Sequence, residues 1–201
     1  KDILLLACKV GEVYSYYDIE GNKLFGEYAF AGRFSNNVAA VKDKDGKWSL
    51  INGTGNKITE TEFSDIILNE FDECAPNGMS FAAIDGVYYI YDSLGNQNDD
   101  FSCEGAKAFV GEYAAYSQGG LWGFVATDGD IIIGPQYDDA KSFSNGVAAV
   151  KSGQTWQLID EINQKLLEET FDEIAYMSDD GICFVKINGY WSYIRMYYTG
   201  K

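Results

Sequence analysis

Close pairs of acidic residues are the feature of this sequence that could most directly carry out chemistry. Glycoside hydrolysis needs two carboxyl groups across a cleft, one of them with a raised pKa. Most of the pairs here recur behind an aromatic residue, and recurrence indicates a shared structural task, namely Asp side chains that accept hydrogen bonds from turn N–H groups. We therefore expect no catalytic residue and no enzyme. The pairs are Asp72-Glu73, Asp138-Asp139, Asp172-Glu173 and Asp179-Asp180.

Other reactive chemistries lack the residues that they need. The 201 residues contain no histidine, which excludes a Ser-His-Asp triad and a His-ligated metal. The acidic turns at 43–46 and 128–130 lack the later ligands of a calcium loop. No metal and no cofactor is expected.

The four cysteines have no CxxC spacing, which argues against zinc ribbons and redox motifs. Cys8, Cys74, Cys103 and Cys183 are predicted to be buried free thiols. The alternative is two disulfides, Cys74–Cys103 and Cys8–Cys183, which a closed ring of repeats would bring together.

Charge and hydrophobicity narrow the classes of partner. The sequence has 15 Lys+Arg against 31 Asp+Glu, a net charge of −16, which argues against binding a nucleic acid backbone. The longest apolar run, residues 3–8, is too short to span a bilayer, which takes about 20 residues. We expect a soluble bacterial protein, with an extracytoplasmic or cell-envelope location favoured and the oligomeric state left open.

An internal repeat organises the whole sequence. Residues 143–151 (FSNGVAAVK) match residues 34–42 (FSNNVAAVK), and a Trp follows each stretch. These tryptophans belong to a column of six aromatic anchors, and a residue that tolerates positive φ follows seven positions after the first five anchors. The anchors are Tyr14, Trp48, Tyr88, Trp122, Trp156 and Trp191, and the turn residues are Gly21, Gly55, Gly95, Gly129 and Asn163.

An aromatic residue followed by acids forms a third column, with Tyr137, Phe171 and Phe71 as its aromatic members. This alignment leaves an insertion at about residues 57–70, the one segment that does not repeat. Its apolar side chains, Ile66, Ile67 and Leu68, would be costly to leave in water. They either pack against a neighbouring repeat or contact a partner.

Each repeat is predicted to form short antiparallel hairpins. Asp-Gly and Asn-Gly between apolar runs are strong hairpin signals, as at 85–86 and 188–189. A lone hairpin cannot cover its apolar face, but stacked neighbours bury a continuous core. We therefore predict one all-β repeat domain over 1–201, about six tandem repeats of roughly 34 residues in an open, twisted, solenoid-like array. The alternative is a small closed six-bladed β-propeller.

With these columns in place, the sequence resembles the bacterial WG-repeat family. The matching stretches are DGKW at 45–48, LWGF at 121–124, YDDA at 137–140 and FSNGVAAV at 143–150. The resemblance covers essentially the whole chain, although only Trp122 is followed by Gly. It implies a repeat scaffold used as a binding or interaction module, and it supplies no catalytic residues.

The aromatic anchors are predicted to form the core, because large aromatic side chains dominate core burial. Tyr89 and Tyr91 are better candidates for an exposed contact surface, since Tyr89 interrupts a column that is small or polar in the other repeats. The preferred function is protein–protein interaction or scaffolding, with a protein partner. The alternative is a carbohydrate- or cell-wall-binding module, in which the exposed tyrosines contact a glycan.

Overall fold

Alternating apolar residues and tight polar turns fold this chain into twenty short strands. The computed structural model describes residues 4–177 and 181–196, and it has no helix within them. The strands are β1 (Leu6–Val10), β2 (Val13–Tyr17), β3 (Lys23–Tyr28), β4 (Phe30–Ala31), β5 (Val38–Lys42), β6 (Trp48–Asn52), β7 (Asp65–Ile66), β8 (Met79–Ile84), β9 (Val87–Asp92), β10 (Gln97–Cys103), β11 (Gly105–Ala106), β12 (Tyr113–Gln118), β13 (Leu121–Ala126), β14 (Ile131–Tyr137), β15 (Asp139–Ala140), β16 (Val147–Ser152), β17 (Thr155–Asp160), β18 (Glu173–Met177), β19 (Ile182–Ile187) and β20 (Tyr190–Arg195).

The strands form six small antiparallel sheets, one for each repeat. Sheet 1 is β1–β3, sheet 2 is β4–β6, sheet 3 is β7–β10, sheet 4 is β11–β14, sheet 5 is β15–β17 and sheet 6 is β18–β20. In every sheet the strands pair in chain order, so each sheet is a meander built from local hairpins. The predicted all-β tandem repeat is confirmed.

The turn after each anchor strand has the predicted left-handed residue. Gly21, Gly55, Gly95, Gly129 and Asn163 all have positive φ, between +64° and +92°. Asp or Asn side chains brace most of these turns; for example, Asp92 Oδ1 accepts hydrogen bonds from the backbone N–H groups of Leu94 and Asn96, at 2.8 and 2.9 Å. An aromatic anchor and a braced turn at fixed spacing therefore mark the end of each anchor strand.

The core lies between consecutive sheets, because the longer strands of the inner sheets bury side chains on both of their faces. In β17, Leu158 packs against sheet 6, while its neighbour Ile159 packs against sheet 4. Successive side chains of a strand point to opposite faces, so one apolar run serves two interfaces. Five buried clusters of this kind join the six sheets in series.

Within the described residues, the outer faces of sheets 1 and 6 do not pack against another sheet. Among the described residues, none of the five buried clusters joins sheet 6 to sheet 1. Large side chains of sheet 6 are exposed instead, including Trp191 and Tyr193. This arrangement is compatible with the predicted open array.

The prediction of an all-aromatic core column is only partly right. Trp48 and Trp156 are buried, but Tyr14, Tyr88 and Trp122 are half-buried, and Trp191 is exposed. The most deeply buried side chains often lie two residues later, as at Tyr16, Leu50, Phe124 and Leu158. Lysine ammonium groups lie over several anchor rings, as Lys42 Nζ does at 5.1 Å from the Trp48 ring centroid.

The predicted position of the insertion is wrong. The backbone N–H of Phe63 donates to Trp48 O at 2.9 Å, and Trp48 N–H donates to Phe63 O at 3.0 Å. Phe171 and Trp156 pair in the same way in sheet 5, so Phe63 begins the aromatic–acidic element of this repeat. The extra residues therefore follow β7, in a segment that we call the 67–78 loop.

Candidate binding cleft

A cleft of about 490 Å³ runs across sheets 3, 4, 5 and 6. Its walls are formed by the segments around the first strand of each sheet, which is also the shortest strand of that sheet. The same position of the repeat therefore lines the cleft several times. Lys107, Val110, Lys141 and Ile174 come from sheets 4 to 6, and Leu68 and Phe71 come from the 67–78 loop. The cleft is therefore a composite of repeats and has one non-repeating wall.

Small reciprocal bridges hold the repeated walls in shape. The Ser144 N–H donates to Val147 O at 2.9 Å, and the Val147 N–H donates back to Ser144 O at 3.1 Å. Val110 and Tyr113 form the equivalent bridge in sheet 4. Phe143, at the start of the bridged turn in sheet 5, is buried and packs on Phe124, with ring centroids 4.6 Å apart. The cleft surface is thus fixed by backbone hydrogen bonds and core packing.

The 67–78 loop is ordered by its own polar residues. Asn69 Oδ1 accepts hydrogen bonds from the N–H groups of Phe71 and Glu73, at 2.9 and 3.0 Å. This turn projects Phe71, whose surface is 56% exposed, over the cleft. A large exposed aromatic side chain on an ordered loop is a candidate contact residue.

Hydrogen bonds to both neighbouring sheets hold the 67–78 loop in place. On the sheet 2 side, Arg33 N–H donates to Asp72 O at 3.0 Å, and Ser35 Oγ donates to Ala75 O at 2.8 Å. On the sheet 4 side, the Asn77 side-chain amide donates to the carbonyl of Gly111. The loop is thus a fixed wall of the cleft.

Two lysines at one repeat position line the cleft, and Lys107 is ion-paired with Asp139. Lys107 Nζ donates to Asp139 Oδ1 at 3.0 Å and to the Ala140 carbonyl, and it lies 4.7 Å from the Trp122 ring centroid. Lys141 Nζ lies 5.6 Å from the Trp156 ring centroid. Both side chains are oriented by these contacts, and the aromatic rings beneath them stabilise the charge.

The predicted contact residues do not form one site. Tyr91 is 2% exposed, its ring packs against Phe63 with centroids 5.0 Å apart, and its hydroxyl donates to Gln97. The expectation of an exposed Tyr91 is wrong, because this position faces sheet 2 in the core. Tyr89 is half-buried at the edge of the same cluster.

The apolar residues assigned to the insertion are distributed over three environments. Ile66 is buried between sheets 2 and 3, and Ile67 is half-buried against the cluster between sheets 3 and 4. Leu68 is half-buried and lines the cleft. Of the five predicted contact residues, Leu68 is the one that the structure brings to the cleft.

Two of the acidic pairs, Asp138-Asp139 and Asp172-Glu173, have the structural task that their recurrence predicts, whereas Asp72-Glu73 lies in the 67–78 loop. Asp138 Oδ2 accepts a hydrogen bond from the N–H of Gly153 at 2.6 Å, and Asp172 Oδ2 accepts one from Gly189 at 2.9 Å. In both sheets the acid closes the hairpin turn that follows. Asp179-Asp180 lies outside the described residues.

All four cysteines are free thiols, which contradicts the disulfide alternative. Cys74, Cys103 and Cys183 are buried as predicted, but Cys8 is exposed on β1. Burial raises the pKa of the Cys74 and Cys103 thiols to about 12, which makes both groups unreactive near neutral pH.

Serial antiparallel sheets with a composite cleft define a tandem β-repeat protein, and sequence comparison identifies the type of repeat. The sequence profile of the family described as WG containing repeat matches residues 14–48, 122–156 and 158–191, more than half of the chain. The chain belongs to this family. No curated protein sequence is significantly similar to it.

The β-propeller-like structures of Hsv2 share the fold. Hsv2 of Kluyveromyces marxianus superimposes with a TM-score of 0.54 at 8% identity, covering 94% of this chain and 68% of that one. Hsv2 of Kluyveromyces lactis with its complete loop 6CD gives 0.51 at 14% identity, covering 90% and 66%. BamB of Moraxella catarrhalis gives 0.49 at 10% identity, covering 96% and 70%. Within the described residues, no helix has the length and apolar character needed to cross a membrane.

Proposed function

We propose that this protein is a non-enzymatic binding module whose cleft holds a short segment of a partner protein. The observation that carries the proposal is the cleft across sheets 3 to 6, closed on one side by the 67–78 loop. Membership of a repeat family supports it, because stacked repeats build extended surfaces that are commonly used for binding.

The size and lining of the cleft favour a peptide segment. Ligand-binding pockets are typically about 300–1,000 Å³, mostly apolar, with a few placed polar groups. Here Phe71, Pro76 and Val110 provide apolar contacts, and Lys141 provides a charge. An extended segment with an apolar side chain beside a carboxylate matches this surface.

The acidic charge of the rest of the molecule affects which peptide segments can bind in the cleft. A net charge of −16 repels acidic partners at long range, although salt screens that repulsion beyond about 10 Å. At the cleft, Lys141 offsets part of this charge, whereas Lys107 is ion-paired with Asp139. A partner carboxylate is therefore expected to contribute more to specificity than to the rate of association.

A phage-displayed peptide library selected on the purified chain tests the proposal. The selected peptides should lose at least tenfold in affinity on Phe71→Ser and on Lys141→Glu, since loss of a central aromatic contact costs about 2 kcal/mol or more. Ile162→Ser is the matched control, because Ile162 is 73% exposed in a turn and is not part of the cleft lining. No selected peptide, or equal loss on all three variants, would contradict the proposal.

The glycan-binding alternative has less support. It depends on exposed tyrosines. Because Tyr91 is buried, one of the two tyrosines proposed for that surface is not available to a glycan. Tyr89 remains half-buried, so a flat aromatic platform at this place would need a rearrangement of sheet 3.

A further inference from the structure

Sheet 6 is the last sheet within the described residues, and it exposes a face that the preceding sheets bury. In sheets 2 and 5 this face carries the anchor Trp and the Leu two residues later, which pack against the following sheet. The same positions in sheet 6 are Trp191 and Tyr193, and they are 54% and 63% exposed. Phe184, the cross-strand partner of Tyr193, is exposed on the same face.

Sheet 1 exposes the face that, in the later sheets, packs against the preceding sheet. Cys8 pairs with Ser15 across β1 and β2, as Val41 pairs with Ser49 in sheet 2 and Val185 with Ser192 in sheet 6. Val41 and Val185 are buried against the preceding sheet. In sheet 1 no preceding sheet is packed on this face within the described residues, and Leu6 and Cys8 are exposed.

We propose that the Trp191–Tyr193 face of sheet 6 binds the Leu6–Cys8 face of sheet 1 in a second copy of this chain. The contact would be a sixth instance of an interface that the fold already forms five times between consecutive sheets. It pairs two different surfaces, so it is a head-to-tail contact that extends into chains of molecules unless it closes into a ring.

The charge of the protein sets how this association depends on conditions. Each copy has a net charge of −16, so the copies repel each other at low ionic strength. Salt screens that repulsion, while burial of the aromatic face is unaffected by screening. Association is therefore expected to rise with protein concentration and with salt.

A disulfide between the two faces is the most direct test. Val185, the equivalent of Cys8, lies in the same cluster as Leu158, the equivalent of Tyr193. A Tyr193→Cys variant should therefore form intermolecular disulfides with the native Cys8 of another copy under mild oxidation, seen as a ladder of dimers and larger species. Ile162→Cys is the control, because that exposed residue lies on a turn away from both faces. The remaining native cysteines are buried and do not compete.

Sedimentation velocity on the unmodified protein provides a second test that does not depend on oxidation. Association should strengthen with added salt and weaken at least tenfold on Tyr193→Glu, with the Ile162→Glu variant unchanged.

A monomer at every concentration would overturn the proposal, and so would an equal ladder from the Ile162→Cys variant. A disulfide formed within single molecules would also overturn it, because it would mean that the array closes on itself. The proposal uses faces outside the cleft, so failure of peptide binding leaves it standing.

Discussion

The ring of Phe81 in sheet 3 stacks flat on the ring of Phe109 in sheet 4, with centroids 4.8 Å apart and an interplanar angle of 2°. Both residues are almost completely buried. Phe109 also lies beneath the cleft, so this aromatic pair joins two repeats directly under the proposed binding surface. The packing between sheets and the shape of the cleft are therefore set by the same side chains.

Replacing Phe81 with Ala should destabilise the whole array. Truncation of a buried Phe leaves a cavity and typically costs about 3–5 kcal/mol of unfolding free energy. Leu94→Ala, at a turn residue that is largely exposed, is the control and should change stability by less than about 0.5 kcal/mol. Urea denaturation followed by tryptophan fluorescence measures both. A loss below 1 kcal/mol on Phe81→Ala would contradict the role assigned to this stack.

Two turn glycines at the same repeat position should respond differently to Ala. Gly21 and Gly95 have nearly equal φ, +86° and +87°, so each Ala variant carries a left-handed strain of about 1–2 kcal/mol. A Cβ at Gly21 meets nothing within 4 Å, whereas one at Gly95 would lie 2.1 Å from the Ile58 carbonyl oxygen. Gly95→Ala should therefore lose clearly more stability in the same urea experiment. Equal losses would mean that the turn of sheet 3 does not pack on Ile58.

Alkaline pH should destabilise the protein through its buried thiols. The pKa of Cys74 and of Cys103 is raised by burial from the ordinary 9.0 to about 12, so the unfolded chain loses these protons first. Their contribution is fully present below pH 9 and is lost as the pH rises towards about 12. Cys74→Ala should make the fall in melting temperature across this window shallower. The same slope in both proteins would indicate that Cys74 is not buried in solution.

The end sheet should exchange its amide hydrogens faster than the central sheets. One face of sheet 6 is exposed to solvent, whereas sheets 4 and 5 are buried on both faces. Local opening is easiest where few apolar contacts resist it. Hydrogen-exchange mass spectrometry at low protein concentration should show β19 and β20 exchanging before β12 and β16. Equal protection of these strands would imply that the end face is covered.

The repeat columns predicted the number of sheets because they record local geometry. An aromatic anchor followed seven residues later by Gly or Asn determines a strand and its turn, and both features are formed within a few neighbouring residues. The same columns could not assign burial, because Trp48 and Trp191 occupy one repeat position and differ only in whether a sheet follows. Burial at this repeat position therefore depends on whether a neighbouring sheet packs against it.

Two similar stretches explain the misplaced insertion. Residues 63–66 (FSDI) and 71–74 (FDEC) both place an aromatic residue and at least one acid before an apolar residue, and the sequence alone does not choose between them. Pairing of Phe63 with Trp48 decides the matter, and it is a contact between strands. The consequence is functional, because the non-repeating segment is the 67–78 loop, which forms a wall of the cleft.

The cleft itself had one overlooked signal in the sequence. Lys107 and Lys141 each lie two residues before a buried Phe, and aligning the repeats on Phe109 and Phe143 would have brought them together. Their convergence with Phe71 could not be foreseen, since it depends on how the 67–78 loop crosses between sheets.

Photo-crosslinking from the cleft tests the central claim most directly. A benzophenone amino acid in place of Phe71 should attach covalently to the library-selected peptides on illumination, and the same group in place of Ile162 should not. Attachment at position 71 alone is the predicted result. Attachment at position 162 alone, or equally at both positions, would contradict binding in the cleft.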